Sequence, residues 1–478
     1  MEPVLDSLPH EVHIHTQGED PQVRLSLYVQ NTLHTLLRPK DEVLSKALAR
    51  ISSTLRKKGK KKGSSNDHSD LCYVLHHQLR VDANVFTHYD WETDMVLMVG
   101  RHHFNVVVDP PVVISLATYP RKYLVVGCPI VPLVVTEFTD AYDILWYRDK
   151  RSLIEEYEYV TTSSTYIPRD EDQGRRFKIF AIPYRKVNST TIQGRSVVFY
   201  LNGPVRYPRT CSLMKEIREE FCSLRQSRVD HELRVVTYNI LSEAYTSTDY
   251  AKRHMYGFIH HPDYLESEFR SARILDELIA YKADIICLQE CDRRVFECYF
   301  QPYLQQMEYS CHFGSKIGEV PEGCAMFIHL TTLAPLAVHH IPLRELILGD
   351  PLLRPIFDSR EDIRDIMGTY VNSIVEVAIC RYTNHSDQFI LVANTHLFYH
   401  PAAAYVRLLH AYAILHLLEK IKQAILEGRS VDFRPIYDMG CDSSDPLLFT
   451  SDNPQVAIIF AGDLNSTPET AVIELIQR

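Results

Sequence analysis

Four apolar runs in the second half of the chain each close on a short polar string, and this arrangement limits the fold more than any other feature. The strings are Thr237-Tyr238-Asn239, Gln289-Glu290, Asn394-Thr395-His396 and Gly462-Asp463-Leu464-Asn465. They end the runs VVTYN, DIICLQE, FILVANTH and VAIIFAGDLN. Short apolar runs bounded by polar residues read as buried strands, and VNSIVEVAI adds another. Between them, Tyr264 to Tyr281 sets Leu265, Phe269, Ala272, Leu275 and Leu278 three and four residues apart, the spacing of an amphipathic helix. Ala402 to Leu426 reads as a second helix, followed by a polar loop to Pro454. Strands alternating with helices predict a layered α/β domain with sheet at its centre. Polar residues at strand ends then line a site on the sheet rim.

The 478 residues exceed what one core holds, since single cores stop growing near ~250 to 300 residues. Two domains are expected, 1–225 and 226–478. From Val74 to Asn202 the chain is a succession of short β-rich segments, MVLMVG, FNVVVD, KYLVVGCPIVPLVV and SVVFYLN, broken by Pro and Gly. Within it, DILWYRDK and then YIPRDEDQGRRFKIFAIP resemble part of an immunoglobulin-like sandwich, with Trp146 as core anchor and Asp172-x-Gly174 leading into a strand. A helical pattern covers Asp41 to Leu55. The run after it, Arg56 to Asn66 (RKKGKKKGSSN), cannot bury itself and reads as a solvated loop, with contact to RNA phosphates as the alternative. The charged helical stretch from Arg206 to His231 reads as the connector.

Charge and cysteine usage narrow the chemistry. A net charge of -10 argues against a scaffold that holds nucleic acid by bulk electrostatics, so any such contact must be local. The eleven cysteines fall largely in strand-like runs, which fits buried thiols in a reducing compartment. Cys287, Cys291 and Cys298 lack the C-x-x-C spacing of a metal cluster. The longest apolar run, Tyr123 to Val135, is interrupted by Pro129 and Pro132 and is shorter than the ~20 residues a membrane helix needs. No membrane association is expected.

Taken singly, each polar string has an ordinary explanation: a turn-forming Asn, a surface Gln-Glu pair, a satisfied His. Together and in this order they resemble the endonuclease/exonuclease/phosphatase superfamily. The longer strings VVTYNIL, Y-x-A-D-I-I-C-L-Q-E-x-D-R-x-V-F, E-G-x-A-x-F, V-A-N-T-H-L-x-x-H-P and G-D-x-N-S-T-P are similar to its 2',5'-phosphodiesterase and deadenylase branch, over Leu233 to Arg478. The resemblance implies a β-sandwich with flanking helices and a metal-dependent phosphodiesterase. It implies magnesium as the ion, with manganese as a substitute, and oligoadenylate or poly(A) RNA as the partner. Glu290 becomes the metal ligand. Asp463 and Asn465 assist the metal, the attacking water or the phosphate, and Asn239 and His396 donate to phosphate oxygens. Asn394 joins Asn239, His396 and Asn465 as a substrate contact. Such hydrolysis needs a positioned water and neutralised phosphoryl charge, which these residue types supply. Gly462 lets the backbone turn tightly where its strand meets the site.

The resemblance also implies a closing Ser-Asp-His motif, which has no counterpart before Ile476-Gln477-Arg478, and His400 lies too early to serve. The sequence therefore reads as C-terminally incomplete. Two alternatives stay open: a catalytically dead form that binds adenylates or a partner, and a small-molecule phosphatase of the same superfamily. The resemblance implies the mitochondrial matrix. The acidic start MEPVLDSLPHEVHIH lacks a transit-peptide pattern, which leaves the cytoplasm as the alternative.

Overall fold

The computed structural model describes residues 10–16, 20–29, 32–59, 72–100, 102–150, 153–187, 190–207, 213–224, 232–430 and 453–478. The chain divides into two compact units. The first comprises Met1–Ala117, Pro132–Ser164 and Arg175–Asn202, and the second comprises Thr118–Val131, Thr165–Gly174 and Gly203–Arg478.

The first unit is β-rich, as its composition predicts. A seven-stranded sheet runs Thr32–Pro39, Gln22–Val29, Glu11–His15, His102–Val108, Val96–Val99, Cys72–His76, Leu79–Arg80. One face of it packs on the helix Leu44–Gly59, through Val12, Ile14, Leu25, Leu44, Leu48, Ile51 and Trp91. The helix thus carries the expected pattern past Leu55 and into the first residues of the Lys-rich run; residues 60–71, which hold the rest of that run, lie outside the described residues. A second sheet centres on Ala141–Lys150, flanked by Leu153–Thr162 and Phe177–Val187. Trp146 is completely buried there and donates its indole N–H to the Ser163 carbonyl. The immunoglobulin-like reading recovers this sheet and its tryptophan. The full sandwich is not present: among the described residues the other ladder of this stretch has only two strands, Val112–Tyr119 and Val131–Glu137. The residues ahead of it go to the seven-stranded sheet instead.

The second unit holds two four-stranded sheets. One runs Val235–Asn239, Ile285–Asp292, Glu322–His329, Tyr309–Ser315; the other runs Leu333–Pro342, Ile374–Tyr382, Gln388–His396, Gln455–Asp463. Ile285, Cys287, Met326 and Ile328 of the first meet Ala378, Cys380, Ile390 and Val392 of the second in one apolar layer. Because side chains alternate along a strand, Val375, Val377, Ile379, Leu391 and Ala393 face the other way, onto the helices Leu343–Gly349, Glu361–Tyr370 and Ala404–Leu426. Those last strands are buried on both faces and read as continuous apolar runs. The helix Ser267–Tyr281 buries Ala272, Leu275 and Leu278, three of the five predicted positions.

Two segments of the expected N-terminal half, 118–131 and 165–174, belong to this second unit. The attachments are polar and specific. Tyr299 donates to the Pro129 carbonyl at 2.9 Å, and the backbone N–H groups of Arg121 and Lys122 both donate to the Glu268 carboxylate. Tyr123 donates to Asp263 and Thr165 to Gln306. Among the described residues no helix is long and apolar enough to cross a membrane.

Candidate active site

The four polar strings converge at one rim of the second unit because the strands that carry them lie side by side. Val235–Asn239 runs parallel to Ile285–Asp292 with Asn239 opposite Gln289, and Gln388–His396 runs parallel to Gln455–Asp463 with His396 opposite Asp463. Parallel pairing brings like ends together. Asn239 then bridges the two sheets: its Nδ2 donates to Glu290 Oε1 at 2.9 Å and to Asp463 Oδ2 at 2.8 Å.

Glu290 reaches this position through a backbone irregularity. The pairing with Glu322–His329 shifts register between Leu288 and Cys291, and Glu290 sits at φ 53°, in the left-handed region that glutamate seldom enters. The bulge lets adjacent residues point to different depths. Gln289 turns inward while Glu290 faces the rim, where its Oε2 also accepts the Ser242 backbone N–H at 3.2 Å. Strained backbone at a carboxylate of this kind is a common mark of a functional position.

Asp463 is fixed from three sides. Its Oδ1 accepts the Asn465 backbone N–H at 3.0 Å, its Oδ2 accepts Asn239, and His396 Nε2 lies 3.7 Å from Oδ2. The preceding Gly462 has φ 148°, and a Cβ there would stand 2.1 Å from the Thr395 carbonyl oxygen, so only glycine fits. Asn465, itself at φ 46°, donates Nδ2 to the Leu397 carbonyl at 2.9 Å, which leaves its side-chain oxygen out of that bond.

His396 is largely buried, and its Nδ1 has no hydrogen-bond partner. Burial, and secondarily the Lys316 ammonium, hold its pKa below the ordinary value against the opposing pull of Asp463 and Glu290. The ring is neutral near pH 7.

Asn394 is in the interior and not on the rim. It is fully buried, its Nδ2 donates to the Leu288 and Ala325 carbonyls and to Glu376 Oε2, and its Oδ1 accepts Gln289 Nε2 at 2.8 Å. Its side chain holds neighbouring strands and has nothing left for a substrate. The reason is depth: it shares a strand face with His396 but lies one pleat further in.

Other residues complete the rim without a signal in sequence. Ser242 donates to Asp292 Oδ1 at 2.5 Å, and Arg270 donates to the carbonyls of Ile240 and Leu241, which shapes the loop behind Glu290. Tyr245 donates to Glu322 at 3.1 Å, and Lys316 pairs with the same carboxylate. Ser466 Oγ is buried without a partner beside Asn465. The first four could not be found by pattern because each sits in a loop or on a helix outside the four strings; Ser466 lies within GDLNSTP, yet serine there reads as a turn residue. A cavity of about 570 Å³ has Asp292, Glu243, Arg293, Arg294 and Tyr123 among its walls, and neither Glu290 nor Asp463 is one of them.

A layered α/β domain of two facing sheets, with carboxylates from both meeting over one amide, defines the class. The chain belongs to the Endonuclease/Exonuclease/phosphatase family, whose model matches residues 236–478. It is 28% identical to human 2',5'-phosphodiesterase 12 over 424 residues, covering 83% of this chain and 61% of that protein. The chain therefore spans less than two thirds of this relative. It is 29% identical over 252 residues to the CCR4-Not complex 3'-5'-exoribonuclease subunit Ccr4 of Mycosarcoma maydis, covering 51% of this chain and 35% of the relative. Among solved structures it is similar to ANGEL2, described as a 2',3'-cyclic phosphatase, at 23% identity and a TM-score of 0.36, covering 51% of this chain and 56% of that one.

Proposed function

We propose that this chain is a magnesium-dependent phosphodiesterase that removes adenylates from 2',5'-oligoadenylate or from the 3' poly(A) end of RNA. The observation that carries the reading is the pair of carboxylates, Glu290 and Asp463, brought from separate sheets to either side of the Asn239 amide. Among the described residues neither carboxylate has a Lys or Arg ion-pair partner, so the negative charge at the rim has no fixed counterion. An all-oxygen acidic set of this kind suits a hard divalent cation, which takes one or two carboxylates and keeps waters. Glu290 and Asp463 would hold the ion, with the Asn465 side-chain oxygen within the same loop; when bound, it supplies neutralisation of phosphoryl charge and a more acidic water.

The chain's own groups do the rest. Asn239 holds the two carboxylates in register and keeps them apart. His396, neutral because it is buried, can donate from one ring nitrogen to a phosphoryl oxygen, and Ser466 Oγ is a further donor without a competing partner. The cavity beside Asp292 offers space for the nucleotide next to the scissile bond.

RNA as the substrate class is carried by the name of the fungal relative, the 2',5' linkage by that of the human one, and adenylate as the base by the resemblance to the 2',5'-phosphodiesterase and deadenylase branch. Residues 226–478 are the catalytic domain in this reading, and the mitochondrial matrix is its compartment, which cell fractionation would check. The test of the activity is hydrolysis of 2',5'- and 3',5'-linked oligo-A, oligo-U and oligo-C of equal length with magnesium and with chelator. Chelator-sensitive release of adenylate, faster from oligo-A than from the others, is expected. Equal rates on the three bases reject the adenylate assignment, and chelator-insensitive hydrolysis rejects the metal.

A further inference from the structure

The first unit carries a second concentration of metal-ligating side chains, remote in sequence from the strings above. The strand Cys72–His76 turns through His77 and Gln78 into Leu79–Arg80, and it pairs with Val96–Val99 so that Leu75 faces Val96. His76 therefore ends its strand next to the segment that contains Asp94.

Neighbours in a strand point to opposite faces. Here they do not, because His77 and Gln78 occupy the left-handed region at φ 50° and 65°. A two-residue hairpin turn of this kind usually takes Asn-Gly. The turn swings the His77 ring back over the His76 ring, with centroids 4.1 Å apart and planes at 24°. Asp94 Oδ2 lies 3.3 Å from His76 Nε2 and 3.6 Å from His77 Nδ1, and Glu92 Oε2 lies 3.6 Å from His76 Nε2. One ligand atom from each of His76, His77 and Asp94 falls within 4.8 Å of the others, and the two Asp94–histidine separations of 3.3 and 3.6 Å fit ligand atoms that share one ion at roughly 2.0 to 2.2 Å. His76 Nε2 is buried and makes no directed hydrogen bond, although a carboxylate stands before it. A solvated histidine–carboxylate pair would turn that nitrogen to water.

We propose that His76, His77 and Asp94 bind one divalent ion of the zinc class, with Glu92 beside the open position. Two imidazoles and a carboxylate suit zinc and its neighbours and not magnesium, so this site is chemically distinct from the Glu290–Asp463 rim. The ion would tie the hairpin turn to the loop before Val96–Val99.

The test is calorimetric titration of the whole tag-free chain with zinc in saturating magnesium. One equivalent of zinc is expected to bind. His77→Asn keeps a residue that tolerates left-handed backbone, so it preserves the turn and should weaken zinc binding by on the order of 10-fold or more. Asp94→Asn should do the same, and Glu290→Gln should leave zinc binding unchanged. The proposal is overturned if the parent binds no zinc, if both variants bind it like the parent, or if Glu290→Gln abolishes it.

Discussion

Glu290 and Glu376 stand on facing sheets of the same unit, yet their surroundings are opposite. Glu290 sits on the rim, accepts Asn239 and the Ser242 N–H, and keeps acceptor capacity toward solvent. Glu376 is fully buried; Asn394 donates to it at 2.8 Å and His340 Nε2 stands 3.3 Å away. Burial pushes the Glu376 carboxyl up from its ordinary value, against the pull of His340 and Asn394. One carboxylate is therefore available to a ligand and the other is committed to the scaffold. Two polar groups thus lie one pleat apart: Asn239, Glu290 and Asp463 outside, and Gln289, Asn394 and Glu376 inside. The inner group links the sheets and sets the distance across which the outer one works.

The largest effect should come from the outer group. Glu290→Gln keeps size and removes charge, so metal-dependent turnover is expected to fall by on the order of 10³, with magnesium affinity reduced in calorimetry and the melting temperature near that of the parent. Undiminished magnesium affinity would remove Glu290 from the metal site and with it the contrast with Glu376.

The inner group should answer in stability. Asn394→Leu is close in volume but takes the Asn394 amide from Glu376 Oε2 and from two buried carbonyls, while Gln289 Nε2 keeps Thr237 Oγ1 and the Cys287 carbonyl. A buried polar group left without a partner costs about 1 to 3 kcal/mol, so a loss of about 3 kcal/mol or more is expected in denaturant unfolding. If the variant melts like the parent and instead loses turnover, Asn394 belongs to the chemistry and the division into two groups fails.

How much of this was legible depends on which physical signal each residue leaves. Strand ends were legible, because apolar runs and their polar stops follow from burial, and the helix Ser267–Tyr281 followed from its spacing. Trp146 was placed in a core correctly, yet among the described residues the other ladder of its stretch has two strands, fewer than a sandwich of the immunoglobulin type, since strand number depends on pairings that residue type does not encode. Depth was not legible. Gln289 and Glu290 look alike as a pair, and only the bulge at φ 53° sends them to different places; Asn394 and His396 share a strand face but lie one pleat apart in depth. The attachment of 118–131 to the second unit includes individual hydrogen bonds and ring contacts, such as Tyr299 to Pro129 and Tyr123 to Phe269, that leave no periodic trace.

The smallest effect sharpens the contrast through pH. Burial raises the Glu376 pKa in the folded chain, so the folded state holds its proton at pH values where the unfolded chain has released it. Stability from this group is then complete below the ordinary glutamate value of about 4.5 and declines as pH rises through the folded value. Glu376→Gln mimics the protonated form and cannot ionise. Its stability relative to the parent should therefore grow steadily as pH is raised above that ordinary value, with no such divergence below it. His340 Nε2, 3.3 Å away, pulls the Glu376 carboxyl the other way and so limits the size of that divergence. A constant difference between Glu376→Gln and the parent across that range in denaturant unfolding would mean that the Glu376 carboxyl is not pushed up by burial, and the inner group would lose its separate standing.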